Sequence, residues 1–145
     1  MQQFIYSRTV TVLHSDTDML GFATVPAFIS WMEETEYEFL RTLGLSVSMT
    51  DRRGRYGFPR LIAEVDIHYP AWPGDNLEIG LGIGQTSGKV IEYRFRVERM
   101  QSGKARKVAT GRFEVACCRF PREGLPYAIL IPDLVLERLD RGLGE

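Results

Sequence analysis

The sequence predicts an α+β domain in which one long amphipathic helix lies on a curved, five-stranded antiparallel sheet. Three observations point there. A single stretch, 26–43, repeats its apolar residues with helical spacing. Later stretches alternate apolar and polar residues with period two. The joints between them are mostly short and rich in Gly, Pro, Asn and Ser, which suits antiparallel neighbours. An apolar helix stripe and a half-apolar sheet bury each other.

The elements follow in order. "FIYSRTVTVLH" (4–14) is β-branched and aromatic, hence a first strand. "PAFISWMEETEYEFLRTL" (26–43) reads as the helix, with Phe28, Met32, Phe39 and Leu43 in one stripe and Ile29, Trp31 and Leu40 alongside. Thr24 suits its N-cap, Pro26 its first turn, and Gly44 followed by Leu45 its C-terminal cap. "SVSMTDRRGRYG" reads as a loop. In "LIAEVDIHY", Leu61, Ala63, Val65, Ile67 and Tyr69 share one strand face. "PAWPGDN" breaks the chain before Leu77, Ile79, Leu81 and Ile83 alternate again. "QTSGK" is a hairpin turn into Ile91, Tyr93, Phe95 and Val97, which alternate with Glu92, Arg94, Arg96 and Glu98. "QSGKA" turns into a last strand, "KVATGRFEVACCRF", and "IPDLVLERLDRG" suits a short helix.

At 145 residues the chain suits a single domain, 1–145, with a core that needs no disulfide. A net charge of −1 gives no global field toward nucleic acid or an anionic membrane. No apolar run of about 18 residues is present, so no membrane span is expected. "MQQFIYSRTV" lacks a basic segment followed by an apolar one, so a cytoplasmic protein is expected. Cys117 and Cys118 are adjacent and point to opposite strand faces, which predicts reduced packing residues.

The stretch "HSDTDMLGFATVP" places Asp16 and Asp18 just ahead of the helix. A calcium loop counted from Asp16 has Asp18 and Gly21 in place, but Leu20 and Ala27 stand where oxygen donors belong. His14, His68 and the cysteine pair lack zinc spacing. No metal is expected. "GLGIGQTSGKV" fails as a phosphate loop, with Ile83 in place of Gly and Val90 in place of Ser or Thr. No G-x-S-x-G elbow is present. Asp16 and Asp18 lie too early to cap a helix starting at Pro26, although Asp16 can accept backbone N–H bonds within the turn. A catalytic carboxylate at Asp18 stays open beside that reading.

"DTDMLGFATVPAFISWMEE" and "AEVDIHYPAWPGDNLEI" together resemble the 4-hydroxybenzoyl-CoA thioesterase family of hotdog folds, and the strand order is similar over nearly the whole chain. The resemblance implies a hotdog acyl-CoA thioesterase. Asp18 then matches the catalytic carboxylate. Val25 matches the position whose backbone N–H holds the thioester oxygen. Glu33 matches a helix acid that lines the acyl pocket in some members. The sequence departs from many members by Thr24-Val25 in place of Tyr-His or Tyr-Asn, and by Glu36 in place of Arg.

The implied chemistry is hydrolysis, with the carboxylate as nucleophile or as base for water and the helix start stabilising the oxyanion. Coenzyme A is then part of the substrate and no cofactor is retained; an acyl carrier protein could present the thioester instead. The alternative is a hotdog protein that binds acyl thioesters without hydrolysing them. The family is built as dimers, commonly paired into tetramers, so a homo-oligomer is expected. Phe58 and Pro59 are assigned to the substrate pocket. Arg52, Arg53 and Arg60 in "DRRGRYGFPR", with Lys89, are expected to meet the phosphates of coenzyme A. Glu33 and Glu36, three apart in the helix, form either an acidic pair in the pocket or a pair neutralised by a cation from elsewhere.

Overall fold

A computed structural model describes residues 3–144. The order of elements is β1 (Tyr6–Thr11), α1 (Val25–Thr42), β2 (Ser48–Asp51), β3 (Gly54–Gly57), β4 (Arg60–Ile67), β5 (Asn76–Ser87), β6 (Val90–Gln101), β7 (Lys104–Ala116), β8 (Cys118–Arg119), β9 (Tyr127–Ala128) and α2 (Asp133–Gly144), with a 3-10 turn at His14–Asp16.

The main sheet has five strands in the order β1-β5-β6-β7-β4, all antiparallel. The alternation seen in sequence drives it. Leu77, Ile79, Leu81, Ile91, Tyr93, Phe95 and Val97 are all buried and face α1's apolar stripe. Phe28, Trp31, Met32, Phe39 and Leu40 form that stripe. A side chain of this size contributes about 1.5–3 kcal/mol when fully buried. Gly111 leaves room for the helix's Met32: a Cβ there would lie 2.5 Å from the Met32 methyl carbon.

Both helix ends are set by local chemistry. The Thr24 hydroxyl accepts the Ala27 N–H at 3.3 Å. At the far end Gly44 adopts φ +71°, and the Leu45 and Gly44 N–H groups return to the Leu40 and Arg41 carbonyls at 2.8 and 3.0 Å. Arg138 of α2 donates to the Leu43 carbonyl at 2.7 Å, so the second helix also serves the first helix's C-terminus.

Three expectations change. Residues 46–57 are not a loop: β2 and β3 form a hairpin that β8 and β9 extend into a second, four-stranded sheet. The strands are too short to show alternation, and their outer partners come from the far end of the chain. Second, the face assigned to Leu61 and Ala63 is broken. A β-bulge between Arg60 and Ile62 turns Leu61 outward, to 63% exposure, while Val65 and Ile67 stay half-buried. Third, the helical tail is a full 12-residue α2, whose Val135 and Leu139 are buried. The cysteines are both free; Cys117 is buried, and burial pushes its thiol up to about 11.

Candidate active site

The Asp16–Asp18 segment is a small folded unit tied to the start of α1. Thr17 and Ala23 form an isolated antiparallel bridge, the Thr24 N–H donates to the Asp16 carbonyl at 3.0 Å, and the Ala23 N–H donates to the Ala71 carbonyl at 2.8 Å. Gly21 takes φ +90° at the tip, a value that suits glycine. The "PAWPGDN" turn braces the unit from outside: Trp72 meets Phe22 edge-on at 5.5 Å. Asp75 holds that turn by accepting the Trp72 N–H and an Arg99 N–H, both at 2.9 Å.

The two acids do different work. Asp16 is half-buried, and its carboxylate accepts the Leu13 N–H at 2.9 Å, which closes the 3-10 turn. Asp18 is exposed. One of its oxygens accepts the Leu20 N–H at 2.9 Å; the other makes no protein hydrogen bond among the described residues.

The start of α1 leaves one donor over. Pro26 has no N–H, Ala27 donates to the Thr24 hydroxyl, and Phe28 donates to the Thr24 carbonyl at 3.2 Å. Among the described residues, the Val25 N–H is the remaining first-turn donor without a protein acceptor. It stands at the positive end of the helix dipole.

Two turns along α1, Glu33 and Glu36 are gathered by a single cation. Arg60, at the start of β4, donates to Glu33 at 2.6 Å and to Glu36. Its guanidinium lies 4.3 Å from the Phe113 ring centroid. Glu36 is fully buried and one of its oxygens has no partner. Burial pushes the Glu36 carboxyl above its ordinary range, against the opposing pull of Arg60. This corrects the expectation that Arg60 meets phosphate. The bulge after Arg60 turns it inward, and both of its terminal nitrogens are occupied by carboxylates. The acids on the helix are therefore neutralised from β4. That link was not visible in sequence, where Arg60 stands among other arginines.

Phe58 and Pro59 lie beside a concavity. They border a cavity of about 250 Å³ with Tyr37, Val47, Arg55, Arg60 and Phe120. Arg52, Arg53 and Lys89 are exposed. Arg53 lines a larger cavity of about 710 Å³ between the β2–β3 turn and residues 120–126. Sequence reasoning missed Arg122 and Phe120, which line it too; their approach depends on the second sheet. Among the described residues, no three of His, Cys, Asp and Glu converge on a point that could hold a metal.

A long helix on a five-stranded antiparallel sheet, with a carboxylate loop bound to the helix's N-terminus, places the protein in the hotdog class. The chain belongs to the thioesterase-like superfamily, whose model matches residues 12–139. A 1,4-dihydroxy-2-naphthoyl-CoA hydrolase of Crocosphaera subtropica is 27% identical over 92 residues, which cover 63% of this chain and 66%, just under two thirds, of that relative. Among solved structures, an Asp-to-Asn variant of 4-hydroxybenzoyl-CoA thioesterase complexed with 4-hydroxybenzoyl-CoA superposes with a TM-score of 0.78 at 15% identity, covering 91% of this chain and 96% of that one. The dynemicin thioesterase superposes with a TM-score of 0.77 at 19% identity, over 94% and 95% of the two chains. A 1,4-dihydroxy-2-naphthoyl-CoA thioesterase from Synechocystis gives 0.73 at 20% identity, over 93% and 95%.

Proposed function

We propose that the protein hydrolyses acyl-CoA thioesters to the free acid and coenzyme A. The observation that carries this reading is the nearness in sequence and fold of an exposed carboxylate, Asp18, to the Val25 N–H, which has no acceptor among the described residues and starts the helix to which the Asp18 loop is tied. Membership of the thioesterase-like superfamily and likeness to a CoA hydrolase support it.

In this mechanism the thioester carbonyl oxygen lies against the Val25 N–H. Negative charge develops there as the carbonyl carbon is attacked, and the helix dipole stabilises it. Asp18 either takes a proton from the attacking water or attacks the carbon itself, giving an anhydride that water then opens. On either route the C–S bond breaks, the thiol leaves with a proton, and water supplies the acid's new oxygen. Glu33, held by Arg60, lies further along the helix and lines the acyl side with Phe58 and Pro59.

The working form is a homo-oligomer. Leu13, Met19, Leu20, Val25 and Trp72 are exposed around the Asp18 loop, from 43% to fully exposed. Exposed apolar side chains gathered near a site suit an interaction face, and a second copy covering them would shield the thioester from bulk water. Thiol release from aromatic, short-chain and long-chain acyl-CoAs tests the hydrolase reading. Release from at least one class is expected, and none from any class would refute it.

A further inference from the structure

The cavity beside Phe58 and Pro59 has a neighbour. A second cavity, of about 270 Å³, is bordered by Arg41, Leu45 and Ser46. Two residues border both spaces: Tyr37 of α1, and Val47 in the segment between α1 and β2. The two cavities adjoin at this pair.

The two sides of the junction differ. Val47 is held through its backbone, because its carbonyl accepts the Phe58 N–H at 2.9 Å. Tyr37 follows Thr35 and Glu36, both fully buried, so its place on the helix is set as well. Its ring is 39% exposed and lies outside the core. The width of the junction is therefore set by one side chain, the Tyr37 phenol.

The charges on the first cavity's wall are already engaged. Arg60 is bound by Glu33 and Glu36. Arg55 donates to the Ser48 hydroxyl at 3.0 Å and lies 5.1 Å from the Phe120 ring centroid. What remains for an occupant is the surface of Phe58, Pro59, Val47 and the Tyr37 ring, which suits hydrocarbon. Tyr37 stands twelve residues beyond Val25 on α1, about 18 Å along the axis. Its side chain leans back toward the helix N-terminus. At roughly 1.2 Å per bond of an extended chain, about ten to fifteen carbons cover that path.

We infer that Tyr37 is the length stop of the acyl site. The substrate class is then an extended aliphatic acyl group that runs from the Val25 N–H along α1 and ends against the Tyr37 ring. This rests on the acyl-CoA reading and names its acyl group. The second cavity lies beyond the stop, and removing the ring opens it to longer chains.

The test is calorimetry with S-alkyl-coenzyme A thioethers of increasing chain length, which bind but are not hydrolysed. In the parent, affinity is expected to rise by roughly fourfold per buried methylene and then to level off. Tyr37→Ala, which suits an exposed helix position, should move the levelling point out by two or more carbons. Tyr37→Phe keeps the ring and should keep the parent's levelling point. Coincident levelling points in the parent and Tyr37→Ala would overturn the proposal, as would a shift in Tyr37→Phe equal to that in Tyr37→Ala. S-benzyl-coenzyme A binding more tightly than every alkyl chain would overturn the aliphatic assignment. No arm needs turnover. A shifted levelling point without thiol release from the matching acyl-CoAs would support the stop and refute the hydrolase reading. Thiol release with an unshifted point would refute the stop alone.

Discussion

Arg60 on β4 and Glu36 on α1 form an ion pair in which the carboxylate side chain is wholly shielded from solvent. Neither partner is tolerable alone there. A buried charge that loses its partner costs roughly 3–5 kcal/mol, whereas replacing both by apolar groups is often neutral. Arg60→Ala should therefore destabilise the protein by roughly 3–5 kcal/mol. Glu36→Gln, which leaves Arg60 its bond to Glu33, should cost less. Urea unfolding of the two variants checks the order, and an Arg60→Ala protein as stable as the parent would contradict it.

The same pair predicts a pH dependence. The folded-state pKa of Glu36 is raised above its ordinary value of 4.5, chiefly by burial. Between those two values the folded state binds more protons than the unfolded state, so this group's contribution to stability falls as pH rises through the window. Removing Arg60 takes away the pull that opposes burial and widens the window. The stability deficit of Arg60→Ala should shrink as the pH is lowered from about 8 toward 5. A deficit that stayed constant over that range would show that Glu36 does not titrate there.

Gly57 holds the second sheet against the segment after α1. A Cβ at that position would overlap the Val47 carbonyl oxygen, which accepts the Phe58 N–H at 2.9 Å. Relief requires backbone movement. Gly57→Ala should cost roughly 1–3 kcal/mol, the scale for overpacking. It should also disturb both cavities, which share Arg55 and Phe120. Thermal unfolding that matched the parent's would contradict the close approach.

The exposed apolar side chains near Asp18 predict assembly. Light scattering at micromolar concentration should give a particle at least twice the 16.6 kDa chain. Met19→Lys/Leu20→Lys should shift it toward the monomer and lower turnover together. A parent particle of 16.6 kDa would end this reading.

Local signals were legible and distant ones were not. Thr24, Gly44 and Leu45 announce both ends of α1 through bonds made within a few residues, and the alternation at Leu77–Ile83 and Ile91–Val97 shows which sheet face is buried. Asp16 could be read as a turn former because its acceptor bond to Leu13 is local. The Arg60–Glu36 pair was not legible: its partners lie 24 residues apart, and the bulge that turns Arg60 inward leaves no mark in the apolar pattern. The β2–β3 hairpin was hidden for a related reason, since β8 completes it from the other end of the chain. The contribution of Arg122 to the cavity beside the β2–β3 turn depends on that same closure.

The central claim is that Asp18 carries the chemistry while Asp16 shapes the turn. The direct measurement is the turnover of Asp18→Asn and Asp16→Asn beside the parent, on whichever acyl-CoA releases thiol fastest. Asp18→Asn keeps the side chain's size and its acceptor bond to Leu20 but removes both nucleophile and base. Its kcat should fall by about 10²–10⁴ with folding intact by circular dichroism. Asp16→Asn weakens the bond to the Leu13 N–H and should lose stability before it loses kcat. An Asp18→Asn protein that hydrolysed the substrate as fast as the parent would contradict the account.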